Sequence, residues 1–75
     1  MSIEYLLVTC PDERPVRADG NGVGFTNHML MLPADEYTIT IDGTGYIPTS
    51  MDIVLSGTSL VRPYIVAFTR AAPGG

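Results

Sequence analysis

The sequence predicts an all-β protein, a small antiparallel β-sandwich of about six or seven short strands with an Ig-like or transthyretin-like arrangement. Apolar and polar residues alternate with a period of two, and no stretch has the 3.6-residue period of a helix. Turn signals containing glycine or proline recur at close spacing, which is typical of a sandwich. The 75 residues predict one domain over residues 1–70 and a disordered tail over 71–75.

The clearest alternation lies in two segments, Tyr37–Asp42 and Met51–Leu55. Their β-branched and aromatic residues suit a pleated surface that is buried on one side. In the first segment, Tyr37, Ile39 and Ile41 share one face, which we expect to point into the core.

Turn signals divide the rest of the chain into strands. Asp19–Gly22 is typical of a tight hairpin turn, because asparagine and glycine tolerate positive φ. Gly43–Pro48 predicts a turn, a short extended piece and a second bend. An irregularity at Asn27 leaves open whether the third and fourth predicted strands are one. The predicted strands are Ile3–Thr9, Pro15–Ala18, Gly24–Thr26, His28–Leu32, Tyr37–Asp42, Met51–Leu55 and Val61–Thr69.

The charge balance disfavours nucleic acid and membrane surfaces as partners. The net charge is −4, and the chain has four arginines but no lysine, so it repels phosphate backbones and anionic lipid. No apolar run approaches the roughly 20 residues of a membrane span. Met1–Tyr5 has no basic signal-peptide region, which predicts a cytoplasmic protein if the chain is complete and a surface or extracellular one if it is an excised module.

A domain of this size has a thin core and usually needs additional support. Cys10 and His28 are the only residues of their kinds, so neither an internal disulfide nor a tetrahedral zinc site can form. We expect no metal or cofactor. Association with another protein is the support that remains.

The first and last predicted strands are apolar on both faces, whereas a two-layer sandwich buries only one face of each sheet. This pattern predicts protein–protein contact through these strands as sheet edges, as a homodimer or within a larger assembly. Isolated apolar residues on a surface are the ordinary alternative. The interface candidates are Tyr5, Leu6, Val8, Tyr64, Ile65, Val66 and Phe68.

A second functional hypothesis is a carbohydrate- or small-ligand-binding module. Its candidate patch consists of Asp19, Asn27, His28 and Tyr46, all near predicted loops. Each has a structural alternative: a turn, a strand end, or, for Tyr46, a ring that caps the core while its hydroxyl binds a partner.

Catalysis is not expected. A thiolate nucleophile would need Cys10 beside His28, and Asp12 and Glu13 oppose its ionisation. A calcium loop starting at Asp19 would have Val23 at a ligand position, so the pattern fails. The glycines that follow Asp19 lack the helix that a phosphate loop requires.

Four elements follow one another between residues 16 and 55: Val16–Gly20, Gly24–Thr26, Leu32–Ile41 and Gly45–Pro48. In this order they resemble the PEGA family of small surface-associated β-sandwich modules, and the related carboxypeptidase-regulatory-like and transthyretin-like sandwiches. Asp35 and Asn27 depart from the pattern, where the family usually has glycine and proline. The resemblance implies a repeated accessory module, often exported, whose role is binding or spacing and which has no catalytic residues.

Overall fold

The computed structural model describes residues 2–71, which form strands and loops and contain no helix. The all-β prediction is confirmed. Within residues 2–71, nine strands make up three sheets. The strands are β1 Ile3–Thr9, β2 Pro15–Ala18, β3 Asn21–Phe25, β4 Met29–Pro33, β5 Asp35–Ile41, β6 Tyr46–Ile47, β7 Met51–Leu55, β8 Tyr64–Ala67 and β9 Thr69–Arg70.

Two of the sheets form the layers of the sandwich. One has the strand order β4-β1-β8 and the other the order β3-β2-β5-β7, while β6 and β9 form a separate two-stranded sheet. All pairings are antiparallel except β1 with β8, which is parallel and places Leu7 beside Ile65. The expectation of an antiparallel sandwich is corrected at this one pairing.

The core lies between the two large sheets. The period-two pattern directs every second residue of β1, β2 and β4 into this layer, and Ile53 and Leu55 of β7 as well. The smallest dimension of the molecule is 17 Å, which fits two sheets packed about 10 Å apart. The buried apolar side chains are Leu6, Val8, Cys10, Val16, Ala18, Leu30, Leu32, Ile39, Ile53, Leu55, Val66 and Phe68.

The chain crosses between the layers at Thr26 and Asn27. The third and fourth predicted strands are therefore not one strand, because β3 and β4 belong to different sheets. Asn27 adopts a φ of 65°, a left-handed conformation that asparagine tolerates better than most residues. The chain crosses back through Ala34, which alone separates β4 from β5.

The C-terminal segment differs from its prediction in three ways. Its strand begins at Tyr64 rather than Val61, and Phe68 separates β8 from β9, which pairs with β6 in the third sheet.

The two ends of the chain also differ from expectation in their positions. β1 is the central strand of its sheet, so it is not an edge as expected. Of the predicted tail, residues 72–75 lie outside the described part, while the N–H of Ala71 donates to the Gly45 carbonyl at 2.7 Å.

Gly24 marks a close approach between the two layers. Its φ is +147°, a conformation that side chains rarely adopt, and a Cβ here would overlap Cδ2 of the buried Leu30. Gly22, on the same strand, has no atom within 4 Å of an equivalent Cβ. A side chain is therefore tolerated at one glycine of β3 and not at the other.

We expect Gly24→Ala to lower the free energy of unfolding by about 1–3 kcal/mol, because the new methyl group displaces Leu30 and the backbone is strained. Urea unfolding followed by circular dichroism measures the loss. Gly22→Ala is the matched control and should change stability by less than about 0.5 kcal/mol. Equal losses in the two variants would contradict the close contact.

Candidate functional site

The outer side of the β4-β1-β8 sheet is a continuous apolar surface. Strand pairing aligns its side chains in rows, with Tyr5 opposite Met31 and Leu7 flanked by Met29 on one side and Ile65 on the other. We call this surface the outer apolar face. Its residues are Ile3, Tyr5, Leu7, Met29, Met31, Pro33, Ile65 and Ala67.

Several of these side chains are open to solvent. Met31 is 65% exposed, Ile65 60%, Ile3 50% and Met29 40%. The one polar residue aligned with them in these strands is Thr9, opposite Ala67. In residues 2–71, therefore, the sheet presents an uncharged surface to water. The exposed face of an antiparallel sheet ordinarily consists of polar residues.

The other large sheet has an ordinary polar exterior. Arg17 of β2 pairs with Asp42, their Nε and Oδ1 atoms lying 2.8 Å apart. Thr38 of β5 donates its hydroxyl proton to Asp52 of β7 at 2.8 Å. Charge and hydrogen bonding thus concentrate on this side of the sandwich, although its sheet also exposes Phe25 and Val54, whereas the outer apolar face contains no charged residue.

Four of the seven interface candidates are buried, and these four predictions are wrong. Leu6, Val8, Val66 and Phe68 are at most 2% exposed and form part of the core, because the strands direct these residues inward. They cannot contact a partner while the sandwich is intact.

Two of the remaining three candidates, Tyr5 and Ile65, lie on the outer apolar face. Tyr64 instead lies opposite the inward-facing Leu6 and is partly exposed at the sheet edge. Met29 and Met31 also lie on this face and are not among the predicted candidates, although Met29–Leu32 is apolar in both phases of its alternation.

Glu4 is the carboxylate of β1, and it points inward rather than onto the outer apolar face. It is only 6% exposed, and its Oε1 accepts hydrogen bonds from the backbone N–H and the hydroxyl of Thr58, both at 2.7 Å. These bonds lower the pKa of Glu4. The Thr58 hydroxyl oxygen also accepts from the N–H of Tyr5 at 2.7 Å. Thr58 therefore supplies a hydrogen-bond acceptor to the part of β1 that does not pair with β8.

The loop between β7 and β8 exposes a second, smaller apolar feature. Ser59 and Arg62 exchange backbone hydrogen bonds at 3.1 and 3.2 Å, which closes a tight turn. Leu60 and Val61 occupy the tip and are 66% and 87% exposed. Turn tips usually hold glycine, asparagine, aspartate or proline, so this pair of side chains is unusual.

The ligand-patch candidate Asn27 is occupied by contacts within the protein. Its side-chain Oδ1 accepts from the N–H of Cys10 at 3.1 Å, and its Nδ2 donates to the Cys10 carbonyl at 2.8 Å. The neighbouring Thr26 is fully buried; its hydroxyl donates to the Asp12 carbonyl at 2.8 Å and accepts from the N–H of Arg14 at 2.9 Å. The crossing between sheets thereby fixes the loop from Cys10 to Arg14.

Tyr46 packs its ring against the core, as predicted, and its hydroxyl is bonded twice. It donates to Asp12 Oδ2 at 2.6 Å and accepts from Arg14 Nε at 2.9 Å. Arg70 donates to both carboxylate oxygens of Asp12. Hydrogen bonds from Arg70, and then from Tyr46, lower the pKa of Asp12 to about 2. This cluster attaches the β6-β9 sheet to the sandwich.

The four ligand-patch candidates do not form one site. Asn27, His28 and Tyr46 surround the loop from Cys10 to Arg14, where His28 Nε2 lies 2.7 Å from Glu13 Oε1. Asp19 lies at the other end of the β2-β3 hairpin, where its side chain accepts from the N–H of Thr38 at 2.8 Å.

Residues 2–71 bear on two further kinds of chemistry, a thiol nucleophile and a metal site. Cys10 is buried, and no hydrogen bond joins it to His28 in that part of the chain. The same residues contain no group of three potential metal ligands. No helix among them could cross a membrane.

Concave regions lie away from the outer apolar face. One of about 500 Å³ is lined by residues of β5 and β7 together with Asp19. A second, of about 250 Å³, lies beside Tyr46 and the glycines of the preceding turn. Internal contacts among residues 2–71 do not explain the outer apolar face.

Comparison with protein-family models, with curated proteins and with solved structures found no match. The class of protein defined by the fold is a small all-β sandwich with one polar and one apolar exterior. The resemblance to the PEGA family stays a prediction.

We expect Thr26→Val to lower the free energy of unfolding by about 1–3 kcal/mol, since the loop loses a buried donor and a buried acceptor without a change in shape. Urea unfolding measures the loss. Thr26→Ser retains the hydroxyl and should recover most of the hydrogen-bond contribution. If the serine and valine variants are equally unstable, the hydroxyl does not hold the loop.

Asp12 should make stability depend on pH in a defined window. In the unfolded chain its pKa is near 3.8, and in the folded chain about 2, so its contribution is present above about pH 4 and is lost as the pH falls toward 2. The stability difference between wild type and Asp12→Asn should therefore narrow between about pH 4 and 2. Urea unfolding at stepped pH measures this.

The comparison with Asp12→Asn isolates one carboxylate. Glu4 and Asp42 also have lowered pKa values, but they are present in both proteins, so their contributions largely cancel in the difference. A difference that does not change with pH would contradict the assigned role of Asp12.

Proposed function

We propose that this chain is a non-catalytic interaction module whose contact surface is the outer apolar face. The observation that supports the proposal is the contrast between its two exteriors: Ile65 on β8 and Val54 on β7 are similarly exposed, at 60% and 61%, but their surroundings differ. Val54 lies opposite Glu36, on a sheet exterior that contains charged residues. Ile65 lies beside Leu7, on the uncharged outer apolar face.

Uncompensated exposure of this kind is costly for a monomer. Contiguous apolar patches beyond a few hundred Å² are uncommon on isolated soluble proteins and usually coincide with contact sites. The outer apolar face spans three paired strands and rests on a buried core, which holds it in one shape. A preorganised surface loses less conformational entropy on binding.

The position of the two concave regions described above favours a protein partner over a small ligand. The concave regions are lined by residues outside the outer apolar face, and small ligands prefer pockets that enclose them. Methionine at two of its exposed positions, Met29 and Met31, provides flexible side chains that adapt to a second surface.

Methionine oxidation in an extract of the native cells tests the proposal. Met29 and Met31 lie on the outer apolar face, whereas Met51 lies on β7 of the other sheet with nearly the same exposure as Met29, 38% against 40%. We expect brief peroxide treatment to oxidise Met29 and Met31 several-fold more slowly in the extract than in the dilute purified chain, because a bound partner covers them. Mass spectrometry measures the sulfoxide at each position.

Met51 is the internal control and should be oxidised at the same rate in both preparations. Equal rates at all three methionines in extract and in dilute solution would contradict the proposal. Slower oxidation at Met51 as well would indicate general protection by the extract, which also gives no support to a contact at this face.

A further inference from the structure

We infer that the partner on the outer apolar face is a second copy of this chain, packed sheet against sheet. This inference rests on the proposed function, because it names the occupant of that contact surface. Four features support it: the distribution of charge, the area of the face, the shape of a twisted sheet, and the support that so small a domain needs.

Charge restricts where two copies can meet. Each chain has a net charge of −4, so copies repel each other over most of their surfaces. The exterior of the β3-β2-β5-β7 sheet would bring Glu36 and Asp52 of both copies together. Glu4 is turned into the protein and held there by Thr58, so β1 contributes no carboxylate to the outer apolar face.

The area of the face agrees with a pairwise contact. At roughly 200 Å² for a fully exposed large side chain, the exposed fractions of Ile3, Met29, Met31 and Ile65 amount to about 430 Å². Two copies therefore contribute about 860 Å² through these four residues, and the other, partly or largely exposed residues of the face bring the contact to about the 1,000 Å² that is the lower limit for a specific interface. A second copy therefore supplies enough surface by itself.

The shape of the face is complementary to itself. Sheets have a common right-handed twist, and two sheets of the same twist pack face to face at about −30°. A two-fold axis would bring the same surface of both copies together, so that each contact between two residues occurs twice. Uncharged rows such as Tyr5 with Met31 can meet in this way without burying an unpaired charge.

A second copy also provides the support that so small a domain needs. In the monomer the β4-β1-β8 sheet buries one face only, against a core of twelve apolar side chains. Pairing would bury its second face, so β1 would be covered on both sides like a strand in the middle of a larger protein. This accounts for a strand that is apolar in both phases of its alternation.

Sedimentation equilibrium of the purified full chain, from about 1 to 100 μM, tests the inference, because interfaces near the lower size limit commonly have micromolar dissociation constants. We expect a monomer–dimer equilibrium in this range. Oxidation of Met29 and Met31 should slow with the same concentration midpoint, while oxidation of Met51 stays unchanged.

Two matched substitutions locate the contact. Ile65→Glu, on the outer apolar face, should weaken dimerisation at least about tenfold, since it places a charge in the contact. Val54→Glu, at a site of equal exposure on the edge strand of the other sheet, should leave the dissociation constant within about twofold. Circular dichroism and urea unfolding confirm that both variants fold.

The remaining outcomes are distinct. A purified wild-type monomer at 100 μM, with Met29 and Met31 protected only in cell extract, would overturn the second copy as partner and leave the proposed contact face standing. A monomer with no protection in either setting would overturn both. A dimer that is lost in Val61→Glu, at the loop tip, and kept in Ile65→Glu would also overturn the inference.

Discussion

Two layers of sheet can bury only one face of each, and this constraint governs the whole molecule. The inward residues of β1 and β8, such as Leu6 and Val66, meet those of the opposite sheet and are almost fully buried. The same strands also have apolar residues in the other phase, and these have no layer to cover them. The outer apolar face is therefore a direct consequence of a sandwich built from a strand that is apolar on both sides.

The rest of the fold is held together at its crossings by polar contacts. Thr26 and Asn27 bond the backbone of the loop from Cys10 to Arg14, and Tyr46 and Arg70 converge on Asp12 of the same loop. In so small a core, these hydrogen bonds hold elements that apolar packing alone does not reach. Two of the predicted ligand-patch residues, Asn27 and Tyr46, therefore form hydrogen bonds within the protein itself.

Function, on this view, lies in a surface rather than in a cluster of reactive groups. Thr58 links the buried carboxylate of Glu4 to this surface. It holds Glu4 on the inner side of β1, which keeps charge off the outer side, and its hydroxyl accepts a hydrogen bond from the backbone of β1. In the proposed dimer, a neutral face on an acidic chain favours this orientation over contact through the other sheet, which would bring Glu36 and Asp52 of both copies together.

Alternation and turn residues were sufficient to predict the fold class and the bounds of β1, β2 and β7, since these patterns depend on neighbours along the chain. The sequence by itself thus determined an all-β sandwich and a surplus of apolar strand faces. Only the tertiary structure decided which face turns outward, because register and layer order depend on contacts between distant residues. That is why Leu6 and Phe68 belong to the core while Met31 and Ile65 remain in solvent.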